Sequence, residues 1–294
     1  MGSPEVLVLG EALIDIVETE DAVTEHVGGS PANVAVGVAR LGVPVRLATR
    51  LGRDDRGERI AAHVRDAGAV VADGSWTTTP TDTARARIRP DGSAEYAFAV
   101  AGLVPPAPRD GAALVHSGSI ALFLDPGGET CLAALESARG HAIVTVDPNI
   151  RPALVGTRET AHARLARAAA AADLVKLSDE DAAWLWPDAD MATVLETIAG
   201  LGASAVVITL GGDGAVGRAA DGEVVEVAGV PVTVADTIGA GDSFMASLIA
   251  TLVERGVPAV GDALADAMRI AARAAAVTVS RPGADPPTRA ELED

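Results

Sequence analysis

The segment with the clearest chemical character comprises residues 235–244, ADTIGAGDSF, and it directly precedes an apolar-periodic stretch of helical length. Gly239 and Gly241 have no Cβ, so the backbone there can approach a ligand closely. The start of a helix leaves unpaired N–H groups and a partial positive charge, which together bind anions. Asp242, in the predicted first turn, can accept a hydroxyl proton while those N–H groups stabilise a phosphoryl group. The segment therefore predicts phosphoryl transfer, with helix capping as the alternative role of Asp242.

Five further segments occur in order along the chain: 10–15 (GEALID), 27–35 (VGGSPANVA), 51–57 (LGRDDRG), 146–152 (VDPNIRP) and 208–214 (ITLGGDG). Together with residues 239–242 they resemble the motifs of the ribokinase-like (PfkB) carbohydrate kinases, which carry a GAGD signature. The resemblance spans nearly the whole chain. It implies a single kinase domain over residues 1–294, a three-layer α/β fold, and transfer of the γ-phosphoryl group of ATP to a sugar hydroxyl.

The resemblance assigns roles at the reacting centre. It implies that Asp242 is the catalytic base and that the γ-phosphoryl group lies over Gly239, Ala240 and Gly241. The residues implied to contact sugar hydroxyls are Asp15, Gly28, Gly29 and Asn33. A carboxylate and an amide can each bind two hydroxyls, and adjacent glycines leave room for a sugar ring, so the residue types agree with these roles.

A second group of residues matches positions that lie near the nucleotide in similar kinases: Asn149, Arg151, Lys176, Thr209, Gly211, Gly212 and Gly214. Lys176 is the only lysine of the chain, whose formal net charge is −18. Lys176 and Arg151 would supply local positive charge for the phosphates. A surface salt bridge remains the alternative for Arg151, and a plain turn remains the alternative for the glycine loop.

Use of ATP implies a metal ion, because Mg²⁺ bridges the phosphates of ATP. Many family members carry Asn-x-x-Glu where this chain has Ser178 and Asp181. The resemblance implies that Asp181 organises Mg²⁺ indirectly, with a charged helix start as the alternative. It also suggests a monovalent cation, K⁺, near Asp236, Ile238 and the loop 281–283. No compact cluster of histidine, cysteine and carboxylate residues with zinc spacing occurs in the sequence.

The sequence leaves several candidates for the substrate. Segments 10–15, 147–152 and 178–180 look like those of bacterial fructokinases, which favours fructose. The acid 2-keto-3-deoxygluconate remains an alternative, and so does a nucleoside, although seven aromatic residues (three Trp, one Tyr and three Phe) offer few rings to stack on a base. A non-catalytic sugar-binding protein of the same fold is the alternative from another class, and the intact GAGD segment argues against it.

Strand-like and helix-like apolar patterns alternate along most of the chain. The predicted strands are 6–9, 46–51, 113–116, 142–146, 174–177 and 205–210, and the predicted helices are 31–41, 56–67, 129–138, 159–171, 241–255 and 261–279. This alternation predicts a mostly parallel sheet that is covered by helices on both faces.

Two stretches, about 12–28 and 77–102, interrupt this alternation and are predicted to form a small β-sheet that acts as a lid. The second stretch is typical of a hairpin that turns at Asp91-Gly92. Arg85 and Arg87 alternate with alanines, so both should point to one face, where Arg85 could contact an anionic substrate. Solvated arginines on an edge strand are the alternative. Since similar kinases often dimerise through this sheet, a homodimer is expected.

The composition narrows the classes of partner. A net charge of −18 repels the phosphates of nucleic acids and the surface of anionic membranes. The single cysteine, Cys131, allows no internal disulfide. No run of 18 apolar residues occurs, and no basic stretch precedes the first apolar run, so neither a membrane span nor a signal peptide is predicted. We expect a cytoplasmic enzyme whose partners are ATP and a small sugar.

Overall fold

The computed structural model describes residues 5–89 and 93–293. The strands in this part of the chain are β1 (Val6–Leu9), β2 (Leu13–Glu18), β3 (Val23–Gly28), β4 (Val45–Ala48), β5 (Leu51–Gly52), β6 (Val70–Val71), β7 (Trp76–Thr77), β8 (Thr83–Ile88), β9 (Ala94–Ala99), β10 (Leu114–Gly118), β11 (Ile143–Asp147), β12 (Leu174–Ser178), β13 (Ala205–Thr209), β14 (Gly214–Arg218) and β15 (Val224–Ala228).

The helices are α1 (Ser30–Arg40), α2 (Asp55–Asp66), α3 (Ser119–Phe123), α4 (Gly127–Ala138), α5 (Arg158–Ala171), α6 (Asp179–Leu185), α7 (Met191–Leu201), α8 (Ala240–Arg255), α9 (Gly261–Val279) and α10 (Arg289–Glu293). A short 3₁₀ helix, Gly211–Asp213, precedes β14. Within the described ranges, no helix has both the length and the apolar character that crossing a bilayer would require.

The main sheet has nine strands in the order β15-β14-β13-β12-β11-β10-β1-β4-β6. The seven strands from β13 to β6 run parallel, and β14 and β15 are antiparallel at one edge. From β1 the chain builds outward through β4 to β6 on one side, and from β10 to β13 on the other. The strand order therefore reverses between β1 and β10, and ligands of such sheets bind at the carboxyl ends of the strands near this point.

The first strand shows how both faces of the sheet are covered. Val6 and Val8 pack in a core cluster with α1, α2, α8 and α9. Leu7 and Leu9, which point to the other face, pack in a second cluster with α3, α4, α5, α6 and α7. Because both faces are buried, β1 is apolar at every position rather than alternating. The predicted three-layer α/β fold is confirmed.

Most predicted elements agree with the structure to within two residues at each end. The prediction of one strand over 46–51 is wrong, because the ladder of β4 ends at Ala48. Arg50 then turns to form an ion pair with Asp82, and Leu51 pairs with Trp76 in a separate two-stranded sheet. A polar side chain that must reach a buried partner thus interrupts an otherwise continuous strand-like pattern.

A separate four-stranded sheet has the order β3-β2-β8-β9, with β2 and β8 parallel and the other pairs antiparallel. This small sheet contains the strands predicted around 13–27 and 83–100. The predicted turn at Asp91-Gly92 lies outside the described residues. Ile14 and Ile16 are buried on one face, whereas Asp15 lies on the other. Side chains on the two faces of this sheet therefore contact different parts of the protein, so the face on which a residue lies determines which groups it can reach.

Candidate active site

The turn before α8 forms an open helix start. Gly239 adopts a left-handed conformation with φ 78°, and no side chain caps the helix. A Cβ atom on Gly239 would lie 2.7 Å from the Cβ of Ala284, so only glycine fits this turn. Gly239, Ala240 and Gly241 are half-buried. The N–H of Ala240 donates to the carbonyl oxygen of Thr237 at 3.3 Å, whereas the N–H groups of Gly241 and Asp242 are available to an anion at an accessible surface.

Asp242 lies in the first turn of α8 and is 9% exposed. Ser30 Oγ donates a hydrogen bond to its Oδ1 at 2.6 Å, and Asn33 Nδ2 donates one to its Oδ2 at 2.8 Å. Asn33, which was predicted to contact the sugar, therefore touches the predicted base directly. Ser30 was not predicted; its position next to Gly28-Gly29 was the available signal.

A buried ion pair lies beneath this helix start. Lys176 Nζ is 2.8 Å from Asp147 Oδ2, and the two side chains are 4% and 1% exposed. A Cβ atom on Gly241 would be 3.1 Å from Lys176 Nζ, so the ammonium group lies directly against the first turn of α8. Burial lowers the pKa of Lys176, but the charges of Asp147, Asp181 and Asp242 outweigh it and raise the pKa overall. The site therefore holds a fixed positive charge.

Asp181 fixes the loop between β11 and α5. Its Oδ1 accepts a hydrogen bond from the N–H of Ile150 at 2.7 Å, and its Oδ2 accepts one from the N–H of Ser178 at 3.0 Å. Ser178 Oγ in turn accepts a bond from the N–H of Asp181, which completes a capping box at the start of α6. Asp181 thus holds the loop that carries Asn149, and its predicted indirect role toward Mg²⁺ stays a prediction.

Arg151 lies near both Asp15 and Asn149. Its Nη1 donates to Asn149 Oδ1 at 2.8 Å. Burial raises the pKa of Asp15, and the positive charges of Arg151 and His26 oppose this rise. His26 is paired with Asp15 across β2 and β3. Arg151 and His26 are thus close enough to Asp15 to influence its ionisation.

The glycine pair before α1 is required by close packing. A Cβ atom on Gly28 would collide with the carboxylate of Asp15. Gly29 has φ 103°, and a Cβ atom there would lie 2.6 Å from the carbonyl oxygen of Glu11. The two glycines therefore allow Asp15 and the start of α1 to pack together, and their implied contact with a sugar stays a prediction.

Arg85 is not brought to the site, and the structure corrects its predicted substrate contact. Arg85 is in register with Ile16, whose face is buried, whereas Asp15 is in register with Ala84 and points to the opposite face. Arg85 Nη1 is 2.7 Å from Glu18 Oε2. The alternation correctly indicated one shared face for Arg85 and Arg87, but only strand register shows that this face turns away from Asp15.

The predicted nucleotide loop follows β13. Thr209 Oγ1 donates to the carbonyl oxygen of Leu177 on β12 at 3.4 Å. Cβ atoms on Gly211 and Gly212 would meet nothing within 4 Å, so these two glycines border open space. Gly214 has φ 112° and packs against the backbone of Val227, so its role is structural. The loop lies at the carboxyl end of β13, beside the carboxyl end of β12, where Ser178 pairs with Thr209.

Asp236 joins the two loops that the resemblance associates with a monovalent cation. Its Oδ1 accepts a hydrogen bond from the N–H of Ile238 at 3.0 Å, and its Oδ2 accepts one from the N–H of Gly283 at 2.9 Å. These backbone bonds hold the pKa of Asp236 below its usual value. Asp236 is therefore ionised and keeps the loops of residues 236–239 and 281–283 together.

Glu11 is a buried acid at the switch point between β1 and β10. It is 5% exposed, and its Oε2 accepts a hydrogen bond from the N–H of Ala121 at 3.0 Å. Burial raises its pKa from 4.5 to about 7, with Ser119 and Ala121 opposing the rise and the charge of Asp242 adding to it. Glu11 was not predicted as a site residue, because a single glutamate after a strand carries no local signal.

The folded protein therefore keeps a proton on Glu11 between pH 4.5 and about pH 7 that the unfolded chain has lost. Stability should fall as pH rises through this interval, by about 3 kcal/mol in total. We expect Glu11→Gln to reduce this slope and to be the more stable protein at pH 8. Urea unfolding from pH 5 to pH 8 measures it, with Glu58→Gln, exposed on α2, as the control. An unchanged slope in Glu11→Gln would assign the proton to another group.

Known proteins match this chain both in sequence and in overall fold. Residues 3–291 match the pfkB family carbohydrate kinases. A fructokinase of Rhizobium leguminosarum bv. trifolii is 34% identical over 260 residues, which cover 84% of this chain and 79% of that protein.

Two solved structures are similar over nearly their whole length. Fructokinase from Xylella fastidiosa with bound ATP has a TM-score of 0.85 and 29% identity, covering 98% of this chain and 97% of that one. A fructokinase double mutant from Vibrio cholerae O395, bound to fructose, ADP and potassium ion, has a TM-score of 0.85 and 26% identity, covering 99% and 97%. The family match, the curated relative and the shared fold lead to one conclusion: this chain belongs to the PfkB family of carbohydrate kinases.

Proposed function

We propose that the protein is a cytoplasmic fructokinase, which transfers the γ-phosphoryl group of ATP to a hydroxyl of D-fructose. The observation that carries the catalytic assignment is the carboxylate of Asp242 in the first turn of an uncapped helix, with the ammonium group of Lys176 against the same turn. A base, free N–H groups and a fixed cation are the parts that phosphoryl transfer needs. The fructokinase names of the relatives support fructose as the sugar.

In the proposed reaction, Asp242 accepts the proton of the attacking sugar hydroxyl. The hydroxyl oxygen forms a bond to the γ-phosphorus while the bond from that phosphorus to the bridging oxygen of ADP breaks. The N–H groups around Gly239, Ala240 and Gly241, together with Lys176, stabilise the charge on the transferred group. Asn149, Thr209, Gly211 and Gly212 line the nucleotide side in this proposal, and Gly214 supports their loop.

The sugar is proposed to bind between the start of α1 and the small sheet. Asp15 and Asn33 bind hydroxyls there, and Gly28 and Gly29 allow the close packing that holds Asp15 beside the start of α1. The stretches 12–28 and 77–102, which contain the small sheet, act as the lid of one kinase domain. Arg151, whose charge reaches Asp15, lies where it could meet an acidic sugar, and this keeps 2-keto-3-deoxygluconate as the second candidate.

The proposed Mg²⁺ enters with ATP, whose phosphates it bridges. One buried acceptor fits a nearby hydrated ion: Asp147 Oδ1 has no hydrogen-bond partner. Asp181 would act only through the loop that it holds. Mg²⁺, when bound, would neutralise negative charge on the phosphates of ATP. For K⁺, the carbonyl groups of the loops that Asp236 joins, including that of Ile238, are the proposed ligands.

A homodimer through the small sheet is also part of the proposal. Tyr96 and Phe98 are 64% and 37% exposed, and their rings stack with centroids 6.2 Å apart. Exposed aromatic side chains on a sheet face are typical of a surface that another chain covers. Sedimentation or light scattering that gives a single-chain mass at micromolar concentration would contradict this part of the proposal.

The experiment that tests the function is ADP release with ATP and Mg²⁺ on D-fructose, 2-keto-3-deoxygluconate, ribose and adenosine. We expect kcat/KM for D-fructose to exceed each of the others by about 10²-fold, since buried polar groups that lose their partners strongly reject a wrong ligand. A larger kcat/KM for 2-keto-3-deoxygluconate would replace fructose as the substrate. No turnover of any compound by the folded protein would contradict the kinase proposal.

A further inference from the structure

The carboxylate of Asp242 is held by one helix from both sides. Ser30 donates to Oδ1 at 2.6 Å and Asn33 donates to Oδ2 at 2.8 Å, and both donors come from the first turn of α1. The shorter distance is typical of a hydroxyl that donates to an ionised carboxylate. Two donors on different oxygens fix the plane of the carboxylate, which would otherwise rotate about its last side-chain bond.

The packing of α1 on α8 makes this arrangement possible. Ser30, Asn33 and Gly37 are spaced by three and four residues, so they share one face of α1. On α8, Asp242 and Ala246 are likewise four residues apart. A Cβ atom on Gly37 would lie 2.6 Å from the Cβ of Ala246, so the backbone of α1 approaches α8 as closely as a glycine permits. This close approach brings the short Ser30 side chain within reach of Asp242.

Each carboxylate oxygen can accept more than one hydrogen bond. The contacts of Ser30 and Asn33 therefore leave acceptor capacity on Asp242 for the proton of a sugar hydroxyl. Ser30 Oγ is engaged with the base, so its effect on a reaction would pass through the orientation of Asp242. A group of this kind should affect the rate of the chemical step rather than the binding of either substrate.

We propose that Ser30 is a positioning residue for the catalytic base: its hydroxyl, supported by the close packing of α1 on α8 at Gly37, orients the carboxylate of Asp242 toward the attacking sugar hydroxyl. This inference rests on the proposed function, in which Asp242 is the base. It adds a residue that the family motifs did not single out, and it gives a reason for the glycine at position 37.

The first test compares Ser30→Ala and Ser30→Thr in the full chain, with D-fructose and ATP as substrates. We expect Ser30→Ala to lower kcat about tenfold, the effect of losing one hydrogen bond to a charged group, while KM for both substrates stays within about twofold. Ser30→Thr keeps the hydroxyl and should retain most of kcat. An unchanged kcat in Ser30→Ala, or equal losses in Ser30→Ala and Ser30→Thr, would overturn the positioning role.

The second test changes the helix spacing and does not depend on how well the Ser30 variants fold. Gly37→Ala should lower kcat at least as much as Ser30→Ala, and Gly37→Ala combined with Ala246→Gly should recover it. Gly200→Ala is the matched control, since a Cβ atom on that helical glycine of α7 meets nothing within 4 Å. Full activity in Gly37→Ala, or no recovery in the double variant, would overturn the proposal.

Asp242→Asn, measured in parallel, separates this inference from the proposed function. Activity that survives in Asp242→Asn would mean that the base is elsewhere, and the proposed function would fail in that respect. An inactive Asp242→Asn beside a fully active Ser30→Ala would leave the base in place and reject only its positioning by Ser30.

Discussion

Asp242→Asn is expected to lower kcat for D-fructose phosphorylation by about 10³-fold, the typical contribution of a positioned general base. An asparagine keeps the size of the side chain and can still bond with Ser30 and Asn33, which contact the native carboxylate at 2.6 and 2.8 Å. It cannot accept the proton of the sugar hydroxyl. The loss should therefore lie in kcat, and KM for ATP should change by less than about threefold.

The measurement is steady-state ADP release with both substrates saturating, together with thermal unfolding to show that the variant folds. Asp262→Asn is the matched control, because Asp262 is also an acid in the first turn of a helix, α9, but is exposed to solvent. It should retain at least half of the native kcat. If Asp242→Asn kept a tenth or more of the native kcat, Asp242 would serve as a helix-capping or binding residue instead of the base.

Local sequence patterns predicted much of the fold and part of the candidate site. Apolar periodicity and turn residues located β1, the strands from β10 to β13 and the helices α1, α2, α4, α5, α8 and α9 to within two residues, because each element buries a regular face. The elements α3, α6, α7, α10, β6, β7, β14 and β15 were not predicted. All of them except α7 are short, and β14 carries two glycines, Gly214 and Gly217, so the patterns of the short elements are too brief to separate from turns.

The unpredicted parts of the site depend on contacts between distant segments. Ser30 and Asp242 are 212 residues apart in sequence, and nothing near Ser30 indicates that α1 packs on α8. The face to which Arg85 points depends on the register between β2 and β8, which a single-strand pattern leaves open. Asp242, Lys176 and the glycines near them were found because their motifs are continuous. Continuous motifs thus predicted the candidate reacting groups, whereas the contacts that Ser30 makes with Asp242 required the fold.

Lys176→Met is expected to destabilise the protein by about 3–5 kcal/mol, the usual cost of leaving one member of a buried ion pair without its partner. Asp147 is 1% exposed, and the charges of Asp181 and Asp242 already act against it, so its carboxylate would have no compensating cation. The variant should also lose about 10²-fold in kcat/KM for ATP, because the fixed charge beside Gly241 is gone. Urea unfolding and ADP release measure the two effects separately.

The destabilisation by Lys176→Met should depend on pH in a defined direction. Even beside Lys176, burial raises the pKa of Asp147 from 3.8 to about 6. A folded-state pKa above the unfolded value means that stability falls as pH rises through the interval between the two. Without Lys176 that interval extends upward, so Lys176→Met should lose more stability at pH 8 than at pH 5. Adding Asp147→Asn to Lys176→Met should recover most of the stability but not the turnover of ATP. Equal destabilisation of Lys176→Met at both pH values would show that lost packing, and not an unpaired Asp147 carboxylate, causes the effect.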